Sequence, residues 1–241
     1  MAQFICTNAK VFADQYDISG YLKSTDIQTA SDMHDVTPYG AAEHRMIPGL
    51  ASGNWNAEGF SEFGTSPIKI EKILHTLKGS QDKPFTIVPH GATIGNLAYF
   101  LSASFQGFEF GADHGNPNTF TWNGGTSKWQ LIRGKIEELN TTARTATGTS
   151  TGQALGAVAA TQFLYAAVHV SAGTGTMDLI VESETGGAFG SPTTVITFPQ
   201  FAGPGSGIMR LAGPITDDNF RFKWTLASSP SFTFAAVFGI L

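Results

Sequence analysis

Apolar and polar positions alternate with period two through most of this chain, and one stretch departs to a helical period. Leu97, Tyr99, Leu101, Ala103 and Phe105 share one face of an extended segment. The large residues then change phase to Phe108 and Phe110, with Gly107 at the slip, which predicts a β-bulge or bend there. Phe85-Thr-Ile-Val88 reads as a strand ended by Pro89, and Trp129 to Ile136 as a strand that closes the first half. Farther on, Leu164, Ala166, Val168 and Val170 mark one strand, Met177, Leu179 and Val181 another, and Ile196 with Phe198 a further one. Phe220, Phe222, Trp224 and Leu226 alternate with Arg221, Lys223 and Thr225, and a last strand carries Phe232, Phe234, Ala236, Phe238 and Ile240. The exception is Ile70, Ile73, Leu74 and Leu77, an i, i+3, i+4, i+7 stripe. It predicts an amphipathic helix capped by Ser66, opened by Pro67 and stopped at Gly79. Asp113 to Pro117 and Asn123-Gly-Gly125 read as turns.

Between the halves, Asn140-Thr-Thr-Ala-Arg-Thr-Ala-Thr-Gly-Thr-Ser-Thr-Gly152 has no apolar period and reads as a linker or long surface excursion. The expected organisation is residues 1–140, a linker at 141–152, and residues 153–241. The expected fold is mainly β: a β-sandwich or barrel-forming sheet with one α-helix, followed by an all-β sandwich or jelly-roll-like domain. Composition agrees, with 28 glycines and 19 phenylalanines in 241 residues. Charged residues are 14% of the chain, against roughly 25% in soluble domains. So little charge favours a chain that buries surface against copies of itself. The charge is also uneven: residues 1–140 hold 10 Lys/Arg and 14 Asp/Glu, residues 141–241 only 4 and 5. A net charge of −5 without a basic patch argues against attraction to nucleic acid. The single cysteine, Cys6, excludes an intrachain disulfide and a cysteine-based zinc site, and reads as a small buried hydrophobe. Met1 to Cys6 does not read as a signal peptide, and no apolar run reaches membrane-spanning length; a soluble product made in a cytoplasm is expected.

Residues 17–60 carry no catalytic cluster. Asp17-Ile-Ser-Gly-Tyr-Leu22, Asp35-Val-Thr-Pro-Tyr-Gly40, Pro48-Gly-Leu50 and Glu58-Gly-Phe60 suggest a strand, a long polar loop and a return strand ending in a turn. Asp32, His34, Asp35 and His44 lie close in sequence, as do Asp113 and His114, but without helical metal-ligand spacing they read as solvated loop residues. Asp217-Asp218 reads as a turn, its carboxylates bonding nearby amides, rather than an acid–base pair. Ser19-Gly20 and Ser206-Gly207 lack the context of a nucleophile elbow, and Gly203-Pro-Gly-Ser-Gly207 lacks the lysine and helix of a phosphate loop. The alternating aromatics could line a sugar site, though core packing is the default for such positions.

The order of the segments at 17–22, 35–40, 48–50 and 58–60, the helix at 66–79, and Pro89-His-Gly91 ahead of the strand at 97–105 resembles the tail tube proteins of long-tailed, siphovirus-like bacteriophages. Leu164-Tyr-Ala-Ala-Val-His169, Phe189-Gly-Ser-Pro192 and Arg221 resemble the β-rich C-terminal regions of some longer tail proteins. The resemblance implies a structural virion protein, not an enzyme, with no cofactor or metal. It implies rings of six subunits stacked around a tape-measure protein, with tail-terminator or baseplate proteins as further partners. DNA then passes through the lumen without specific binding, and no membrane is involved. It places the chain in the virion tail after synthesis in the bacterial host cytoplasm. Some family members carry two tube domains per chain and close as trimers; because the second half here lacks an amphipathic helix between sheets, a six-fold ring with an outward decorating second domain is expected instead. The loop between the first strands, residues 31–58, would reach the adjacent ring. Its candidate contacts are Asp32, His34, Asp35, Thr37, Tyr39, His44, Arg45 and Glu58. The alternative is a carbohydrate- or receptor-binding module of a tail fibre or baseplate.

Overall fold

The alternating segments pair into sheets, in longer strands than the sequence suggests. A computed structural model describes residues 8–64, 66, 69–91, 93–112 and 114–241. Cys6 and Pro67 lie outside the described residues. The chain runs through β1 (Lys10–Ala13), β2 (Tyr16–Asp17), a 3-10 turn at Ser19–Tyr21, β3 (Leu22–Asp35), β4 (Met46–Phe60), α1 (Ile70–Leu77), β5 (Lys83–Val88), β6 (Leu97–Gly111), β7 (Thr119–Thr126) and β8 (Ile132–Glu138). It continues through β9 (Gly148–Thr149), β10 (Gln153–Ala154), β11 (Phe163–Glu184), β12 (Thr193–Thr197), β13 (Gly205–Ala212) and β14 (Asn219–Ile240). The fold is mainly β with one helix, as the periodicity predicts. Two compact units interleave along the chain. One comprises the residues up to Gly20, Asp82–Leu101 and Ile132–Leu241; the other comprises Tyr21–Gln81 and Ser102–Leu131.

In the first unit, β11 and β14 form one antiparallel pair from Leu164↔Ile240 to Glu184↔Asn219. Each replaces two expected strands. The rings of Phe222 and Phe238 stack 5.4 Å apart, yet on a straight strand they would be about 50 Å apart. The pair is therefore folded over on itself. The crease carries register shifts at Val170/Ala172 and Thr174/Thr176 and left-handed backbone at Gly175 (φ 78°), Ser228 (φ 65°) and Ser229 (φ 55°). The shifts move the inward face of β11 from Leu164, Ala166, Val168 and Val170 to Met177, Leu179 and Val181, so both halves bury residues in one core with Phe220, Phe222, Trp224, Phe234 and Phe238. This is the sandwich, built from halves of the same strands, and its aromatics are core rather than a sugar-binding wall.

The tract at 141–152 runs along β14. Arg144 bridges Phe232, Gly148 and Thr149 pair with Trp224 and Lys223, and the Trp224 indole donates to the Ala146 carbonyl at 3.0 Å. Glu137, buried, accepts from the Gly152 amide at 2.6 Å, and desolvation pushes its pKa up.

In the second unit the order is β3-β4-β7-β6. Trp55, Phe105, Phe120 and Trp122 are buried in this unit, as is the Ile70, Ile73, Leu74 and Leu77 stripe of α1. The bulge expected at Gly107 is present, as a register shift between Phe105 and Phe108. Two expectations change. The helix begins at Ile70, with Lys69 at the cap position and no side-chain cap; Gly79, at φ 79°, follows it as the expected stop. Asn123-Gly-Gly125 is not a turn but part of the C-terminal half of β7. A Cβ on Gly124 would lie 2.1 Å from the Ser104 carbonyl oxygen and 2.5 Å from the Trp55 ring, so glycine stands there to admit the indole.

Candidate assembly surface

The segment expected as a loop over 31–58 is mostly strand. β3 and β4 pair from Leu22↔Gly59 to Asp35↔Met46, which leaves a loop of residues 36–45. Pro48-Gly49 lies inside β4, beside a bulge between Ser31 and Met33. A Cβ at Gly49 would meet the His34 ring at 2.5 Å, so glycine gives that imidazole its space.

The tip is internally bonded. Val36 N–H donates to the Arg45 carbonyl at 2.8 Å. The Thr37 amide donates to Asp35 Oδ1 at 2.8 Å, its hydroxyl donates to the same oxygen, and the Arg45 amide donates to that hydroxyl at 2.8 Å. His44 Nδ1 lies 2.9 Å from Asp35 Oδ2. The Thr37 hydroxyl and amide, followed by His44, hold the Asp35 carboxyl below its usual range. Gly40 turns the loop at φ 91°, and Tyr39 stands fully exposed.

The structure therefore brings Asp35, Thr37, His44 and Arg45 together, with Asp32 and His34 on the adjoining arm. Glu58 lies apart, near the far end of β4, where it pairs across to Ser24 and Thr121. Among the described residues no three His, Cys, Asp or Glu side chains form a metal-binding group. Asp217 accepts from Ser183 at 2.7 Å and Thr185 at 3.0 Å, and Asp218 accepts from the Gly186 amide at 3.0 Å. Instead of serving chiefly the amides of their own turn as expected, both carboxylates tie their segment to residues 183–186 at the end of β11, Asp218 also accepting from the Asn219 side chain.

Sequence reasoning missed the apolar content of the hairpin. Met33, Val36, Met46, Ile47 and Leu50 are exposed, Leu50 at 81%. The signal was available in Met46-Ile47-Pro48-Gly49-Leu50, an apolar stretch of β4 facing a β3 arm that holds Ser31, Asp32, His34 and Asp35. Such an arm gives the stretch nothing to bury against. Two further features distinguish this unit. Among the described residues, β3 pairs only with β4, so its outer edge is open. The face of the sheet opposite α1 presents Asp26, Gln28, Asn54, Asn56, Glu58, Glu109, Thr121 and Asn123 by register. It is rich in carboxamides, and its charged members are acids.

No protein-family model matches the chain, and no curated protein matches it. Among solved structures it is similar to the Dit protein of phage SPP1, a paradigm of the hub adsorption apparatus in phages that infect Gram-positive bacteria, with 13% identity over 97% of this chain and 99% of that one, at a TM-score of 0.42. It is similar to the SPP1 tail tube over 54% of this chain and 78% of that one, at 9% identity and a TM-score of 0.42. It is also similar to the tail of an empty gene transfer agent particle of C6 symmetry, over 54% of this chain and 97% of that one, at 13% identity and a TM-score of 0.40. These solved structures are phage tail tube and hub proteins and a related particle's tail.

Proposed function

We propose that this chain is a structural tail subunit that assembles as rings, six copies in each, stacked into a tube that conducts DNA. The observation that carries this reading is the β3–β4 hairpin with its unpaired outer edge. A strand of 14 residues left open is an aggregation hazard in a free monomer. Pairing it with the next copy's sheet removes the hazard and closes a barrel. In that barrel the carboxamide and acidic face lines the lumen, where it offers phosphates no cation to hold. The hairpin tip, with Asp32, His34, Asp35, Thr37, Tyr39, His44 and Arg45, meets the adjacent ring. Glu58 serves the lumen face instead. A tape-measure protein fills the lumen during assembly, and terminator and baseplate proteins close the ends. The role is structural rather than catalytic, within the virion, after synthesis in the host cytoplasm. The domain division expected at 141–152 becomes a proposal that residues 153–241 decorate the tube. Electron microscopy of the purified protein tests the reading: rings or tubes are expected, and discrete monomers at high concentration would overturn it.

A further inference from the structure

The second unit carries two unpartnered apolar surfaces, and they sit at opposite ends of the same strands. One is the hairpin surface of Met33, Met46, Ile47 and Leu50. The other is aromatic. Phe63 is half exposed, at 53%, and its ring lies 5.3 Å from Phe110, which lies 5.2 Å from Phe108; Phe60, though exposed, falls by register on the opposite face of the sheet. From Leu50 to Phe60 the strand covers roughly 33 Å, so no single copy brings the two together. Their charges are complementary. The tip holds Asp32, Asp35 and Glu43 against Arg45. Beside the aromatic surface, Lys78 Nζ lies 6.0 Å from the Phe108 ring centroid. Lys72 is exposed on the same helix, and neither lysine has an ion-pair partner among the described residues.

We infer that the hairpin of one copy docks on the Phe63–Phe110–Phe108 surface of a second copy, with tip carboxylates against Lys72 and Lys78. Methionine and leucine side chains adapt to aromatic faces, which suits a flexible donor and a rigid acceptor. Donor and acceptor are different surfaces, so the contact is heterologous. It does not close on two copies but propagates as an open stack. This rests on the tube reading and adds to it the receiving surface, which the strand pattern alone does not indicate.

The test is oxidative cross-linking of full-length Leu50→Cys/Phe63→Cys protein in a Cys6→Ser background, with assembly followed by electron microscopy. A ladder of dimers, trimers and higher species is expected, while each single-cysteine variant stops at dimers. Tubes without a ladder, or with dimers alone, sink the docking surface and leave the tube reading standing. Absence of both tubes and ladder sinks both. If the double variant does not fold, Met46→Cys/Phe110→Cys probes the same contact under the same criteria. Charge reversal gives a second readout. Lys78→Glu should raise the concentration needed for stacking roughly tenfold, and adding Glu43→Lys should restore it; a double variant no better than the single one counts against the pairing.

Discussion

Gly124 and His169 are set by what packs on them. Gly124 faces the Trp55 indole and the Ser104 carbonyl, and neither can retreat, because Trp55 is packed against Trp122 at 4.9 Å and Phe105 at 5.3 Å. Gly124→Ala should therefore cost about 1–3 kcal/mol, the usual penalty of overpacking, read as a fall in the urea midpoint of the isolated subunit. An unchanged midpoint would mean the indole moves freely. His169 is buried and stacks on Phe12 at 5.3 Å. Its Nδ1–H donates to the Asp14 carbonyl at 2.5 Å, which leaves Nε2 to accept from the Thr86 hydroxyl at 2.7 Å. The ring is thus held neutral. Burial lowers its pKa from 6.5 to about 4, against the opposing pull of the Asp14 carbonyl and the Asp14 and Asp17 charges. Because the folded value is depressed, the stability it contributes is complete above pH 6.5 and is lost as pH falls from there towards 4. The loss reaches about 3 kcal/mol. Glu137, whose pKa burial raises above 4.5, contributes in the opposite direction, its share being complete below pH 4.5 and lost as pH rises above it. Denaturant unfolding of the subunit between pH 7 and 4 checks this: His169→Gln should flatten the acid slope, and an equally steep slope in that variant would assign it elsewhere.

At the level of the element, the sequence reveals an alternating pattern more readily than where a strand ends. The period-two residues of β6, β11 and β14 were legible, as was the bulge at Gly107, because a phase change between Phe105 and Phe108 is written in the residues themselves. The continuity of β11 across 171–175 was not legible. Ala172-Gly-Thr-Gly175 reads as a break, and only the folded pair, with Gly175 at φ 78° and Phe222 stacked on Phe238, makes it a crease. The hairpin was obscured for the opposite reason. Its arms beyond Gln28 have no buried face, so they leave no alternation to detect. These elements yield two expectations. A Cβ at Gly175 would sit 2.5 Å from the Ala227 carbonyl in a left-handed conformation, so Gly175→Val should open the crease and cost at least about 1 kcal/mol, seen as a lower melting temperature. Replacing residues 36–45 by a two-residue Asn-Gly turn should leave circular dichroism and thermal unfolding unchanged while abolishing stacking. Tubes of normal length from that variant would remove the tip from assembly.

For the whole molecule, the low charge content does not say where the charge lies. A net charge of −5 multiplies to roughly −30 in a ring of six, but repulsion of DNA depends on which residues face the lumen. On the proposed reading the face in question is the helix-free one. Asp26, Glu58 and Glu109 fall on the helix-free face by pairing with Asn56, Thr121 and Ser24. The same face presents Gln28, Asn54 and Asn123, neutral groups that hold water without holding phosphate. Reversing the three acids to lysine adds six units of positive charge per subunit to a wall that otherwise carries carboxamides, while Lys72, Lys78 and the hairpin tip at 36–45 are untouched. Assembly should therefore proceed, since none of the three lies at the tip, and Glu109, between Phe108 and Phe110 in β6, falls by register on the face opposite those rings. The altered tubes should retain duplex DNA in co-sedimentation at low salt and release it steeply as salt rises, because each lysine–phosphate contact releases counterions. Wild-type tubes should retain none at either salt. Equal retention by both would place this face on the outside of the assembly, and the open edge of β3 would then have to close a different ring.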